Sequence, residues 1–238
     1  MHTLGVIGGL GPMATAFFMQ MVIEMTEADT DQKHVEMIIY NCPSIPDRTS
    51  YILGQSDEDP GKPMAAIGKK LVADGAEVIA IPCVTANYFY EELSREIPVP
   101  IINFIEETAK YLEEQNISVV GLMATDGTVK SGLFQKSLQA RGIKTVLPKE
   151  DAQKDVMHLI YHNVKATRPI EMDRFERVSA ELRRKGSQVI ILGCTELSMI
   201  RRDEQVGAGY LDAMQVLAKC SVEQCGILKK EYRQLITT

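Results

Sequence analysis

Short apolar runs alternate with longer segments of helical periodicity along the whole chain. The runs are rich in β-branched residues and mostly apolar on both faces, which is typical of parallel strands covered by helices on each side. They predict strands at TLGVIG, EMIIY, EVIAI and VPIIN in the first half and at SVVGLM, IKTVL and QVIIL in the second. Helical spacing predicts helices at 13–26, 64–74, 104–115, 128–140 and 172–185. This alternation indicates an α/β fold with parallel sheets.

An internal echo divides the chain into two similar halves. A shift of 111 residues aligns the segment that ends at Cys83 with the segment that ends at Cys194, and both read L-x-x-x-G-x-x-V-I-x-[IL]-x-C. A second echo, shifted by 116 residues, repeats a strand that leads into a glycine turn. We therefore predict two parallel-sheet α/β/α halves related by pseudo-symmetry, 1–100 and 101–207, with a cleft between them. We expect a C-terminal helix over 208–235 to pack back on the first half.

Both echoed cysteines stand where a strand ends and a helix begins. Ligands of open α/β sheets bind at the carboxyl ends of the strands, so facing halves would bring the two thiols to opposite walls of one cleft. A buried free cysteine most often packs as a small hydrophobic residue, but two thiols in matching positions favour a shared site. Because N–H groups at a helix N-terminus stabilise a thiolate, we expect both Cys83 and Cys194 to be partly ionised at neutral pH. The other three cysteines have no matching partner, and we interpret them as structural.

Three further features carry possible ligand-binding groups. The turn GGLGPMAT fits a dinucleotide fingerprint, but the second strand lacks the acidic residue that would hold a ribose, so we interpret Gly9 as part of an anion-tolerant turn that lines a site. Arg48 lies in the irregular segment 42–62, where it is either a surface residue or a bidentate partner for a substrate carboxylate. Lys165 ends a helical pattern, a position that suits a surface residue as well as a site residue.

The composition of the chain limits the kinds of molecule that it can bind and the compartment in which we expect it. The net charge of −6 and the isoelectric point near 5.4 argue against nucleic acid and against an anionic membrane. No two of the five cysteines form a C-x-x-C pair, and His158 and His162 have no acidic or cysteine partner at metal spacing, so we predict no metal site. Free thiols, the absence of a signal-peptide pattern at the start and the absence of an 18-residue apolar run predict a cytoplasmic protein.

The segments GVIGGLGPMAT, SIPDRT, PCVTAN, GLMATDGTVKSGLF, VKAT and GCTELS together resemble the aspartate/glutamate racemase superfamily, in particular its aspartate racemase branch. The resemblance extends over nearly the whole chain. It implies a homodimeric, cofactor-independent isomerase that acts on a small acidic amino acid, aspartate or glutamate, with Cys83 and Cys194 as catalytic residues. The substrate-binding residues that it implies are Gly9, Arg48, Val84, Thr85, Ala86, Thr125, Lys165 and Thr195.

The chain departs from the family at two positions. The usual run is C-N-T-A-H, whereas Val84 and Asn87 stand here in place of the second and fifth residues. We expect a racemase in which one thiolate removes the Cα proton and the opposite thiol protonates the other face. The departures keep two alternatives open: a maleate isomerase or decarboxylase with the same fold, and a non-catalytic binder of acidic metabolites.

Overall fold

The computed structural model describes residues 2–238 and contains two parallel β-sheets flanked by helices. The first sheet has the strand order β2-β1-β3, and the second has the order β5-β4-β6-β7. The strands are β1 (Leu4–Gly8), β2 (Met37–Asn41), β3 (Val78–Ala80), β4 (Val119–Met123), β5 (Lys144–Val146), β6 (Val189–Leu192) and β7 (Tyr210–Asp212). Every pairing is parallel. The predicted α/β class with parallel sheets is confirmed.

One predicted strand does not form, and one observed strand was not predicted. The run VPIIN makes only an isolated bridge between Ile101 and Ile79, because Pro100 has no N–H group to continue a ladder. Pro100 still accepts a hydrogen bond from the N–H of Ile79 at 2.8 Å. Strand β7, by contrast, follows the segment GAG and ends in an aspartate, so no apolar run marks it in the sequence.

Eleven α-helices are found within the described residues. They are α1 (Pro12–Met25), α2 (Arg48–Ile52), α3 (Gly61–Ala73), α4 (Tyr90–Glu96), α5 (Phe104–Glu114), α6 (Asp126–Ser131), α7 (Leu133–Ala140), α8 (Glu150–Met157), α9 (Met172–Arg184), α10 (Thr195–Asp203) and α11 (Ala213–Cys225). Short 3₁₀ helices lie at Asp31–Lys33, Val84–Phe89 and Lys230–Arg233, and a π-helix lies at His158–Val164.

Most of the predicted helices are confirmed, with two corrections. The helix expected over 128–140 is broken at Gly132, which adopts a left-handed conformation with φ of +67° and separates α6 from α7. The segment 42–62, predicted to be irregular, contains α2. Within 208–235 only α11 is α-helical, and it packs against α1 and α5. The boundaries of the two halves, 1–100 and 101–207, stay a prediction.

The two sheets share a continuous hydrophobic core. One cluster of buried side chains contains Leu4 of β1 and Val120 of β4, so the halves are joined by apolar packing. The halves also meet where α6 packs against α2. There Gly127 lies against Thr49, and a Cβ atom at Gly127 would come within 3.0 Å of the Thr49 Cα atom. No helix among residues 2–238 has the length and apolar character needed to span a membrane.

Candidate active site

Cys83 and Cys194 occupy equivalent backbone positions at the ends of their strands. Each is extended, with φ and ψ of −154° and 109° at Cys83 and −147° and 137° at Cys194, and each is the N-cap of the helix that follows. Both thiols are buried and line one cavity between the two halves. The cavity volume is about 10 Å³, room for about one water molecule. The two thiols, each at the end of its strand, thus line one small chamber.

The chamber brings together most of the residues predicted for the site. Its lining comprises Leu10, Asp47, Arg48, Thr49, Cys83, Val84, Thr85, Thr125, Tyr161, Lys165, Cys194, Thr195 and Glu196. Two of the predicted residues lie elsewhere. Gly9 lines a larger adjoining cavity. Ala86 packs in a hydrophobic cluster behind Cys83, because a 3₁₀ turn directs successive side chains to different sides.

Arg48 is the charged neighbour of Cys83. It begins α2, is only 7% exposed, and donates from Nη1 to the carbonyl of Pro46 at 2.9 Å and from Nη2 to that of Leu10 at 3.1 Å. Burial lowers the pKa of Arg48, but the interactions with Cys83 and Asp47 outweigh burial and raise it. The guanidinium is therefore a fixed cation beside the sulfur of Cys83.

Glu196 is the charged neighbour of Cys194. The thiol donates to Glu196 Oε2 at 2.9 Å, and the hydroxyl of Thr195 lies 3.3 Å from the same oxygen. Burial raises the pKa of Cys194 well above its ordinary value, and the adjacent carboxylate raises it further. The expectation that both thiols are partly ionised is therefore wrong for Cys194, because desolvation and a neighbouring negative charge outweigh the helix N-terminus.

Lys165 stands between two carboxylates at the outer side of the chamber. Its Nζ atom is 3.9 Å from Asp47 Oδ2 and 4.0 Å from Glu196 Oε1, and it lies 4.1 Å from the centroid of the Tyr161 ring. Burial lowers the pKa of Lys165, but Glu196, Tyr161, Cys194 and Asp47 together raise it. Lys165 is thus a protonated ammonium held by long ion pairs, which a closer anion can replace.

Three threonine hydroxyls form a closed hydrogen-bonded ring between the halves. Thr85 Oγ1 is 3.1 Å from both Thr125 Oγ1 and Thr128 Oγ1, and the last two are 3.1 Å apart. Thr125 also caps α6 by accepting from the N–H of Thr128 at 3.2 Å. The hydroxyls satisfy one another, and those of Thr85 and Thr125 belong to residues that line the chamber.

A larger cavity of about 560 Å³ adjoins the chamber, and five residues line both: Leu10, Asp47, Arg48, Lys165 and Glu196. Its wall includes the turn after β1, where Gly9 adopts a φ of +91°. A Cβ atom at Gly9 would come within 2.4 Å of the Cys42 backbone, so only glycine fits this turn. This cavity is the route by which a small molecule would reach the thiols.

The two positions that depart from the family pattern differ in their surroundings. Val84 is buried and lines the chamber. Asn87 lies outside the chamber and donates from Nδ2 to the carbonyl of Val84 at 3.1 Å. The missing imidazole at position 87 is thus farther from the chemistry than the sequence alone suggested.

Comparisons with known proteins agree with this geometry. The model of the Asp/Glu/hydantoin racemase family matches residues 7–220. The chain belongs to this family. It is therefore an amino-acid racemase, an isomerase, and the resemblance seen in the sequence is confirmed.

Individual racemases match along most of their length. The chain is similar to the broad specificity amino-acid racemase RacX of Bacillus subtilis, with 29% identity over 92% of this chain and 96% of the relative. It is also similar to the aspartate racemase of Picrophilus torridus, with a TM-score of 0.85, 30% identity and 98% coverage of each chain. Glutamate racemase from Francisella tularensis, at 17% identity, shares the fold over 94% of this chain and 80% of its own, with a TM-score of 0.68.

Sequence reasoning missed four polar residues of the racemase chamber: Asp47, Thr49, Tyr161 and Glu196. Glu196 directly follows Thr195 in GCTEL, so its place in the first turn after the thiol was a usable signal. Tyr161 precedes Lys165 by four residues on the π-helix, and that helix could not be read from the sequence pattern. Asp47 caps α2 by accepting from the Ser50 N–H at 2.8 Å.

The paired histidines of the racemase acquire an acidic neighbour that their sequence spacing did not reveal. Glu171 Oε1 lies 2.6 Å from His158 Nε2, and potential ligand atoms of His158, His162 and Glu171 lie within 4.8 Å of one another. Arg174 donates to Glu171 Oε2 at 2.7 Å, and Arg168 Nη1 lies 2.8 Å from His162 Nε2. Two guanidinium groups therefore already occupy this exposed cluster, which lies outside the chamber.

Proposed function

We propose that this racemase is a cofactor-independent, two-base enzyme in which Cys83 and Cys194 exchange protons with the Cα atom of an acidic amino acid, aspartate or glutamate. Inversion at Cα needs an acid and a base on opposite faces of the substrate. The observation that carries the proposal is that two thiols at equivalent strand ends line the same chamber. A single thiol would suit hydrolysis or decarboxylation, but would not serve both faces.

The charged residues next to each thiol support one arrangement of protons on Cys83 and Cys194 before the reaction begins. Arg48 places a fixed positive charge beside Cys83, whereas burial and Glu196 keep Cys194 protonated. In this state Cys83 removes the proton from one enantiomer, and Cys194 donates its proton to the opposite face of the carbanion. For the reverse direction the two thiols exchange states: Cys194 gives its proton to Glu196 Oε2, 2.9 Å away, and Cys83 takes up a proton from solvent, so that Cys194 acts as the base and Cys83 as the acid.

The carbanion needs stabilisation, because no electron sink such as pyridoxal phosphate takes part in the proposed reaction. Donors aimed at the α-carboxylate would neutralise the charge that develops on it. The hydroxyls of Thr85, Thr125 and Thr195 and the N–H groups that follow the two thiols are the candidates. The ring of threonine hydroxyls would open to donate to the substrate instead of to one another.

An acidic substrate is supported by the cations of the chamber. Lys165 is held by ion pairs of 3.9 and 4.0 Å and by its contact with the Tyr161 ring, and Arg48 Nε is buried without a hydrogen-bond partner. Both can therefore donate to a substrate carboxylate at little cost to existing contacts. The similarity to an aspartate racemase over 98% of the chain agrees with this choice of substrate.

Five free cysteines support the expected cytoplasmic location.

The test is deuterium incorporation at Cα, followed by NMR during incubation with L- and D-aspartate and L- and D-glutamate in D₂O. We expect exchange and inversion with both enantiomers of at least one of them. Saturable binding without exchange would instead indicate a binding protein. Release of carbon dioxide, or conversion of maleate to fumarate, would indicate one of the other reactions considered for this fold.

A further inference from the structure

The aromatic ring of Tyr161 holds the ammonium group of Lys165 at the boundary between the two cavities. The Lys165 Nζ atom is 4.1 Å from the centroid of the ring, a distance at which the face of an aromatic ring attracts a cation. Lys165 lines both the chamber and the larger cavity, whereas Tyr161 lines the chamber and not the larger cavity. The ring therefore draws the ammonium group towards the chamber.

The π-helix His158–Val164 fixes the position of this ring. Leu159 and Ile160, which precede Tyr161, are fully buried and anchor the helix in the core. The N–H of Lys165 donates to the carbonyl of Ile160 at 3.0 Å, the i to i+5 bond of a π-helix. The backbones of Tyr161 and Lys165 are thus held by one buried turn and not by a flexible loop.

The phenol group of Tyr161 reaches across to the first half of the molecule. Burial raises the pKa of Tyr161, so the phenol is protonated at neutral pH, and its oxygen lies 3.5 Å from Asp47 Oδ2. The same carboxylate oxygen is 3.9 Å from Lys165 Nζ. Asp47 therefore contacts both the ring and the cation that the ring holds.

We propose that Tyr161 is a positioning residue that makes this racemase select aspartate over glutamate, because it holds the Lys165 ammonium group at the distance of a β-carboxylate. The inference rests on the proposed two-base reaction, which places Cα between Cys83 and Cys194. Glu196 marks the available distance, since its Oε2 atom is 2.9 Å from the Cys194 sulfur and its Oε1 atom is 4.0 Å from Lys165 Nζ. A single carboxylate group thus spans the gap between thiol and ammonium.

The side chain of aspartate suits this short gap better than that of glutamate. The β-carboxylate of aspartate is one methylene group from Cα, and the carboxylate of glutamate is one methylene group farther. The chamber has room for about one water molecule, so a longer side chain would push the ammonium group towards the larger cavity and away from the Tyr161 ring. One methylene group in a pocket is worth about 10- to 200-fold in kcat/KM, so we expect wild-type kcat/KM to be at least about tenfold higher for aspartate.

The test compares two substitutions of Tyr161. Tyr161→Leu removes the ring, whereas Tyr161→Phe keeps the ring and loses only the phenol oxygen, so it is the matched control. The measured quantity is the ratio of kcat/KM for L-aspartate to kcat/KM for L-glutamate, which a general loss of activity leaves unchanged. We expect Y161L to lower this ratio at least about tenfold, because Lys165 can then follow the longer side chain, and Y161F to change it less than about twofold.

A second comparison tests whether the ring acts through Lys165. In a Lys165→Met background, Y161L should leave the ratio unchanged, because the ammonium group that the ring positions is gone. Deuterium exchange at Cα, followed by NMR over long incubations, measures these weakly active variants. Circular dichroism and thermal melting establish that each variant is folded, and Tyr161→Met takes the place of Y161L if that variant is not.

Three results would overturn the role of Tyr161 and leave the two-base reaction standing. They are wild-type kcat/KM for glutamate equal to or above that for aspartate, a ratio lowered by Y161F as much as by Y161L, and an equal effect of Y161L with and without Lys165. Absence of Cα exchange with both amino acids in the wild-type protein would instead overturn the two-base reaction itself.

Discussion

The surroundings of the two thiols differ far more than their backbones do. Cys83 and Cys194 share an extended conformation, an N-cap position and a strand end. Yet Arg48 interacts with the first thiol, and Glu196 accepts a hydrogen bond from the second. The repeated fold thus provides two equivalent positions, and opposite charges make them chemically unequal.

The two charges also come from different places in the chain. Glu196 follows Cys194 by two residues and lies in the first turn of α10. Arg48 comes from α2, in the segment between β2 and α3, and three backbone carbonyls hold its guanidinium in place. The α2 segment, which supplies Arg48, and the second residue after each thiol, Thr85 in the first half and Glu196 in the second, therefore both create the asymmetry.

The largest effect should come from replacing either thiol. Cys83→Ser and Cys194→Ser should each reduce racemisation at least about 1,000-fold, because a hydroxyl is too weak a base at neutral pH. Each variant should still exchange the Cα proton of one enantiomer, and the two variants should retain opposite enantiomers. NMR in D₂O measures both properties. Equal exchange of L and D substrate by a single variant would show that one group serves both faces.

A smaller effect is expected on the Cys83 side. Arg48→Met removes a charge-assisted interaction worth about 1.5–3 kcal/mol, so kcat/KM should fall about 10- to 150-fold. In the Cys194→Ser background, alkylation of Cys83 by iodoacetamide should also be slower, because the cation beside the sulfur is lost. Arg48→Lys keeps the positive charge and is the matched control. An unchanged alkylation rate in Arg48→Met would mean that the guanidinium does not act on the sulfur.

The opposite shift is expected on the Cys194 side. The negative charge of Glu196 raises the pKa of Cys194 in addition to burial, so the neutral amide of Glu196→Gln should lower that pKa. In the Cys83→Ser background, alkylation of Cys194 should therefore occur at lower pH than with Glu196 present. Turnover of the enantiomer that Cys194 deprotonates should fall about tenfold, since a proton acceptor contributes roughly 1.4 kcal/mol or more. A shift to higher pH would contradict this assignment.

The smallest effect should distinguish the two departures from the family run. Val84 lines the chamber and Asn87 does not, so Val84→Asn should raise kcat/KM for aspartate by up to about tenfold, or about 1.4 kcal/mol. Asn87→His should change it less than about twofold, close to the scatter of surface substitutions. Steady-state kinetics of both single variants decide the point. A larger gain from Asn87→His would place that side chain nearer the substrate than its bond to the Val84 carbonyl indicates.

The sequence predicted the positions of the strands and of the two thiols better than it predicted the ionisation of those thiols. Periodicity identified six of the seven strands, and the echo placed Cys83 and Cys194 at equivalent strand ends. VPIIN failed as a strand because its single proline, Pro100, cannot donate to a ladder. The ionisation of Cys194 was mispredicted because a sequence pattern reveals the helix N-terminus but neither burial nor the direction of the Glu196 side chain. Contacts between distant segments, such as Arg48 with Cys83, need the folded chain.

The chamber has room for only about one water molecule. This small volume affects how the two thiols return to their starting protonation states after each turnover. In a two-base reaction the proton taken from the substrate stays on one sulfur, and the other sulfur, which has given up its proton, is left as a thiolate. The product therefore leaves behind an enzyme primed for the reverse enantiomer. Returning to the starting form requires a proton from bulk solvent to pass through the adjoining cavity and into this small chamber. At high substrate concentration this recovery of the free enzyme, rather than the breaking of the Cα–H bond, would then limit the rate. For a short time after each turnover, the protonation state of the free enzyme would depend on which enantiomer it last converted.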